Sequence, residues 1–202
     1  MNKKLIKNHF LYFGWIYILI ALISVIFSLW VLPAKTKLKS YEKVGIFLAI
    51  KTYSGEVLKN TILNNDDSLL AVDIYAENPD NYYFASYLQS AGKQSSDIFI
   101  TSRNAISEQY IQSYCAFLDA NKWQNEFDKA NDLLMINDRV YGFKLDKNNS
   151  LLESSLSFND EVEEDFYLLI NRESKNFGDF YIKDGKKKES DHALKAIHAM
   201  ID

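Results

Sequence analysis

Residues 10–32, FLYFGWIYILIALISVIFSLWVL, hold no charged side chain, and every later apolar run is only as long as a strand. At about 1.5 Å per residue the first stretch reaches roughly 34 Å, enough to cross a hydrocarbon core with some tilt. Backbone groups in lipid must pair within the segment, so the pattern predicts a transmembrane helix. Tyr12, Trp15 and Tyr17 lie toward one interface and Trp30 toward the other, with Pro33 expected to stop the helix.

The polar and apolar alternation after that stretch predicts strands and helices by turns. Residues 44–50 (VGIFLAI) form a continuous apolar run that suits a strand covered on both faces. Ser54 opens a helical pattern with Val57, Leu58, Ile62 and Leu63. A second strand is expected at 69–75 (LLAVDIY), then a helix over 80–91 closed by Gly92, then a short third strand at 97–101 (DIFIT). Asn104 heads a long helical pattern through Ile111, Tyr114 and Leu118, extended by Trp123 and Phe127. Strands at 140–145 and 166–171 and a closing helix at 193–201 complete the series. Alternation through 44–131 predicts βαβ units, hence a parallel α/β sheet.

Processing and orientation follow from the flanks. Lys3, Lys4 and Lys7 form a basic head, but the apolar run exceeds the roughly 7–15 residues of a cleaved signal peptide. A cut after Ala34 would put Leu32 where a small residue is needed, and no cysteine follows the run to take a lipid. The expectation is an uncleaved signal anchor: a short cytoplasmic tail at 1–9, the span at 10–32, a juxtamembrane linker at 33–43 and an extracytoplasmic α/β domain at 44–202. Lys35, Lys37, Lys39 and Lys43 balance the N-terminal lysines, so charge beside the span does not choose a side. Long domains translocate largely regardless of charge, which favours the bulk outside, at the cell membrane.

Residues 44–202 carry 16 basic against 26 acidic groups, a net charge of −10. That argues against a nucleic-acid partner and against the domain lying flat on anionic lipid. Cys115 is alone, so no internal disulfide forms, and among Tyr114 and Phe117 it reads as a small core residue. His9, His192 and His198 make no metal pair; His192 and His198 are six apart on one helix and read as surface residues. Ser90-Ala-Gly-Lys93 lacks companion motifs, and Asp146-x-Asn148-x-Ser150 lacks the glycine of a calcium loop. The acidic run at 160–165 reads as a solvated face. No acid, base and nucleophile set assembles, so no enzymatic activity, metal or cofactor is expected.

The run from VGIFLAI through LLAVDIYAENPDNYY to SSDIFITSRNAI resembles the first lobe of extracellular solute-binding proteins of bacterial ABC transporters. VYGFKL and EDFYLLINRES resemble that family's hinge strand and the strand after it. The resemblance covers roughly residues 44–178 and implies a periplasmic-binding-protein-like lobe with a parallel or mixed sheet in the order 2-1-3. A complete member has a second lobe of comparable size, for which this chain has no room. In the implied order a crevice opens beyond the carboxyl ends of the first and third strands. Its lips are Lys51, Thr52, Tyr53 and Ser54 on one side and Thr101, Ser102, Arg103 and Asn104 on the other, with Thr52, Tyr53, Ser102 and Arg103 as candidate ligand residues. The resemblance implies a membrane-presented binding domain accessory to ABC-type uptake, with a membrane permease as partner. The competing expectation is a membrane-anchored interaction or assembly module with no small-molecule ligand.

The anchor is testable by one charge. Leu22→Arg, near mid-span, is expected to cost roughly 2.5–3.5 kcal/mol of insertion and to lower membrane yield. Wild-type full-length protein that leaves membranes in alkaline carbonate contradicts a span at 10–32.

Overall fold

The computed structural model describes residues 3–36, 38–50, 53–127, 132–146, 165–183, 185 and 187–201, with side chains of the first helix described over 12–28. The chain divides into two compact units, Met1–Leu38 and Lys39–Asp202.

The first unit is one helix, α1 (Lys3–Thr36). It runs past Pro33 by most of a turn, so the expected stop is not observed. Trp15, Leu22 and Phe27 are all more than half exposed. Among the described residues no helix is long and apolar enough to cross a membrane. The span read over 10–32 therefore rests on the sequence.

The second unit is built on a mixed sheet. Its described strands are β1 (Lys43–Ala49), β2 (Ala71–Glu77), β3 (Ile98–Ser102), β4 (Leu133–Ile136), β5 (Arg139–Lys144) and β6 (Phe166–Ile170), in the order β2-β1-β3-β6-β5-β4. β1 pairs in parallel with both β2 and β3, whereas β6 and the β4–β5 hairpin join antiparallel. The parallel half matches the βαβ expectation; the antiparallel half makes the sheet mixed.

Helices cover both faces, which is why β1 and β3 read as unbroken apolar runs. On one face Ile46, Leu48, Ile98, Ile100, Leu168 and Ile170 meet α2 (Gly55–Asn65) and the C-terminal helix His192–Ile201. On the other, Phe47, Phe99 and Leu169 meet a helical stretch made of α3 (Phe84–Tyr87), a π turn (Leu88–Gly92) and α4 (Lys93–Ser95). That stretch starts later than the expected helix and does not end at Gly92, whose φ of −61° is ordinary right-handed helix. A Cβ at Gly92 would lie 2.9 Å from Leu88 Cδ1 and 3.2 Å from Phe99. Close packing, and not a left-handed cap, explains that glycine.

The long helix expected from Asn104 is two short ones. Ser107, and not Asn104, caps α5 (Glu108–Tyr114), its side chain accepting from the Tyr110 amide. The helix breaks where Cys115 leaves to bridge Asn171, and α6 (Ala120–Glu126) restarts on an Asp119 cap. Trp123 and Phe127 then pack with Phe143 and Phe180 as a ring cluster. Trp123 Nε1 is buried with no hydrogen-bond partner among the described residues. β4, absent from the expectations, pairs with β5 across the Asn137–Asp138 turn, both residues at positive φ. The register skips Tyr141, and this bulge lets Val140 and Phe143 reach the same face. The C-terminal helix, α7 (His192–Ile201), closes the first face with Ala193, Ala196, Ile197 and Met200.

Phe99 sits fully buried at mid-sheet. Phe99→Ala is expected to cost about 3–5 kcal/mol in urea unfolding. A loss below about 1 kcal/mol contradicts a central, packed β3.

Candidate functional site

The order β2-β1-β3, with α2 and α3 on opposite faces, places a topological switch point at β1 and β3. In such sheets ligands favour the crevice beyond the carboxyl ends. Of the four candidate residues there, Thr52 lies outside the described residues, as does Lys51.

The other three do not converge. The Tyr53 ring lies back over Gly55, where an added Cβ would fall 1.7 Å from the Tyr53 Oη. It lines an open groove of about 470 Å³ on the α2–β2 side, beside Glu56, Lys59, Asp73 and Tyr75. Burial, with Glu56 nearby, pushes its phenol up. Ser102 is buried, and its carbonyl accepts from Thr101 Oγ1 at 3.0 Å and the Ala105 amide at 3.2 Å. Arg103 is mostly exposed and pairs loosely with Glu108, 3.9 Å away. Among the described residues, no groove holds both Tyr53 and Arg103. The internal carboxylate partner of Arg103 removes the argument that its place requires an anionic ligand.

A second surface at this end was not expected. Beyond β2, Tyr82 and Tyr83 stand 91% and 67% exposed, edge to face at 5.2 Å. Next to them in sequence, Phe84, Leu88, Ile106 and Tyr110 line an open groove of about 740 Å³. Burial pushes the Tyr110 phenol up, and its hydroxyl donates to the Leu88 carbonyl at 3.2 Å. The lining is mostly apolar, with Ser86, Gln89 and Ser107 at its margin.

The polar chemistry of the unit concentrates at the opposite end, where the parallel strands begin. Asp97, buried at the start of β3, accepts from the Gly45 amide at 2.9 Å, Ser174 Oγ at 2.5 Å and Asn176 Nδ2 at 3.2 Å. Asn176 Nδ2 also donates to the carbonyls of Ser40 and Lys43. Asn171 Nδ2 donates to the Ser96 and Lys93 carbonyls at 2.6 and 3.0 Å. Gly45 is required here because the chain crosses it closely; a Cβ would lie 2.1 Å from the Ser95 carbonyl oxygen. Burial pushes the Asp97 carboxyl above its usual range, although the three donors pull it down.

Another buried pair corrects a sequence expectation. His192, read as a surface residue, is buried, and its Nδ1 lies 2.5 Å from Asp66 Oδ2. Asp66 also accepts from Ser68, and its carboxyl stays below the usual range although burial alone would raise it. The pair joins the end of α2 to the start of α7. Cys115 is buried as expected, and burial pushes its thiol up, away from nucleophile chemistry. Among the described residues no three His, Cys, Asp or Glu side chains lie together as a metal site.

No family model matches this sequence, and no curated protein matches it. Among solved structures, the chain is similar to the maltose/maltodextrin-binding domain MalE from Bdellovibrio bacteriovorus bound to maltotriose, at a TM-score of 0.35 and 14% identity. The match covers 50% of this chain and 28% of that one. A likeness this slight carries no argument about ligand or activity, and the description of a mixed α/β sheet rests on the strands themselves.

The Asp97 cluster yields a signed pH prediction. A folded carboxyl raised above its unfolded value contributes stability that is complete below the unfolded pKa, about 4, and is lost as pH rises through the folded value. The stability advantage of wild type over Asp97→Asn should therefore be largest near pH 4 and shrink toward pH 7. An advantage that grows with pH would mean that the three donors outweigh burial. Asp97→Ala, which strands three buried donors, is expected to cost about 3 kcal/mol or more at any pH.

Proposed function

We propose that this chain is a membrane-anchored binding module without enzymatic activity. Residues 10–32 of α1 hold it in the bilayer, residues 1–9 stay in the cytoplasm, and the α/β unit is presented outside. In this reading the unit resembles one lobe of a solute-binding protein and serves solute uptake beside a membrane permease. The support for the anchor is the uncharged sequence of 10–32 with Tyr and Trp toward its ends.

The observation that carries the binding role is the switch point at β1 and β3, with helices leaving toward opposite faces. In sheets of that topology ligands favour the loops beyond the carboxyl ends, which a rigid sheet holds in place. Near those carboxyl ends Arg103 is exposed and only loosely paired with Glu108, Ser102 is buried at the end of β3, and Tyr53 lies to the α2–β2 side.

A second reading is favoured by the exposed Tyr82–Tyr83 pair and the apolar groove next to it in sequence. Solvent-facing tyrosines beside a shallow apolar groove are features of protein interfaces. In that reading the module engages a membrane protein and takes no small solute.

One experiment separates the two. Full-length protein in lipid nanodiscs is screened by thermal shift against sugars, amino acids and short peptides, and responders are followed by calorimetry. The solute reading expects a responder whose binding weakens by about 1.5–3 kcal/mol in Arg103→Ala. The same change should leave stability within about 0.5 kcal/mol, because the Glu108 pair is exposed and loose. Responders that bind Arg103→Ala unchanged place the ligand elsewhere. A screen without responders favours the protein-partner reading.

A further inference from the structure

We propose that the edge of the α/β unit where β1, β3 and β5 begin is a contact surface for anionic lipid headgroups. The inference rests on the membrane-anchored reading above and adds to it a defined face.

A groove of about 590 Å³ lies along this edge, with Lys93, Tyr114, Phe117, Lys122, Arg172 and Ile182 in its lining. Its place is fixed by backbone bonds. The Asn171 amide donates to the Asp97 carbonyl just before β3, the Arg172 amide to the Tyr114 carbonyl, and the Leu118 amide to the Val140 carbonyl at the start of β5. The chain also enters the unit at this edge. Asn176, four residues beyond Arg172, binds the carbonyls of Ser40 and Lys43 at the start of β1. Helix α1 ends at Thr36 and the unit begins at Lys39.

The groove's charge runs against that of its surroundings. Residues 44–202 carry a net −10, yet here Lys93, Lys122, Lys183 and Arg172 face one lining carboxylate, Glu173, which Lys183 engages. Lys93, Lys122 and Arg172 make no ion pair among the described residues. Lys93 lies 4.3 Å over the Tyr114 ring and Lys122 5.6 Å over the Phe180 ring. Arg172 Nη1 donates to the Ser113 carbonyl at 3.3 Å. An ammonium has three donors and a guanidinium five, so these contacts orient the heads and leave donors for an anion.

Two large apolar side chains share the groove with these cations. Phe117 is 44% and Ile182 47% exposed, and Arg139 stacks over the Phe117 ring at 4.7 Å. Single exposed apolar residues are ordinary, but apolar side chains interleaved with lysine and arginine match the composition of surfaces that rest at a lipid interface. An acidic protein segment offers similar charge. Phe117 and Ile182, exposed among the cations, favour lipid, whose interface takes apolar side chains beside anionic charge. The net charge of the whole domain argued against a lipid contact; the cations gathered at one edge restrict that argument to the remainder of the surface.

The test uses full-length protein in nanodiscs of phosphatidylcholine alone or with ~30% phosphatidylglycerol. An environment-sensitive fluorophore is placed through Ile182→Cys, with Tyr82→Cys beyond β2 as the reference; native Cys115 is buried and unreactive. The expected result is a blue shift and quenching by doxyl lipid at position 182, in anionic discs only, with position 82 unchanged. Both signals should disappear in the combined variant Lys93→Glu, Lys122→Glu, Arg172→Glu. They should also weaken at about 0.5 M salt, a readout that needs no mutant to fold. Protein retained on discs with no lipid-dependent change at 182 overturns the contact and leaves the anchor standing. A shift at 182 produced by polyglutamate and not by anionic discs also overturns it, in favour of a protein partner. Protein that is not retained on either disc overturns the anchor and the contact together.

Discussion

The Asp97 carboxylate is enclosed at the start of β3 and answered by one backbone amide and two side-chain donors. A carboxyl group so placed is costly unless every lone pair has a partner, and those partners come from distant parts of the chain. Gly45 brings β1, and Ser174 and Asn176 bring the segment that returns after β6. Asn176 then reaches Ser40 and Lys43, and its carbonyl accepts the Ala193 amide at the start of α7. One buried group thus orders the sheet's beginning, its antiparallel return and its closing helix. Replacing such a network by apolar groups often costs little stability, whereas removing one partner strands the others in the interior.

From that end the sheet fans toward the opposite edge, where β1 and β3 deliver their loops. The two ends divide the labour. The beginning of the strands holds an internally satisfied network with a cationic groove outside it, and the carboxyl ends carry the switch point, the exposed tyrosines and the apolar groove. Arg103 illustrates how far the topology reaches and where it stops. The fold carries the residue just beyond β3, while a carboxylate for it, Glu108, is supplied by the first turn of α5.

Much of this was legible in the residues. Unbroken apolar runs announced β1 and β3 because helices on both faces leave no polar side to write. The strand expected at 140–145 follows Asn137 and Asp138, residue types that positive φ favours. What remained hidden depends on tertiary partners. Nothing near Cys115 signals a helix break; its partner in the bridge, Asn171, lies many residues later. β4 was missed because LLMI is four residues long and gains its identity from β5. Asp97 read as the polar first residue of a strand, since its three partners lie 52, 77 and 79 positions away. The His192–Asp66 contact escaped for the same reason, spanning 126 positions. The crevice was legible as a place and not as a set: strand order predicts where loops meet, but the turn of the Tyr53 ring over Gly55 is a local packing choice.

The dependence of the whole unit on the Asp97 network is tested most directly by native-state hydrogen exchange. The amides of Gly45, Asn171 and Ala193 each donate into the network or its immediate extension. If one carboxylate holds these segments together, the three should exchange only through the opening that also exposes Phe99, with the same denaturant dependence. If Asn171 and Ala193 exchange through a small local opening while Gly45 and Phe99 stay protected, the return segment and α7 are secured independently, and the network is not what the fold depends on.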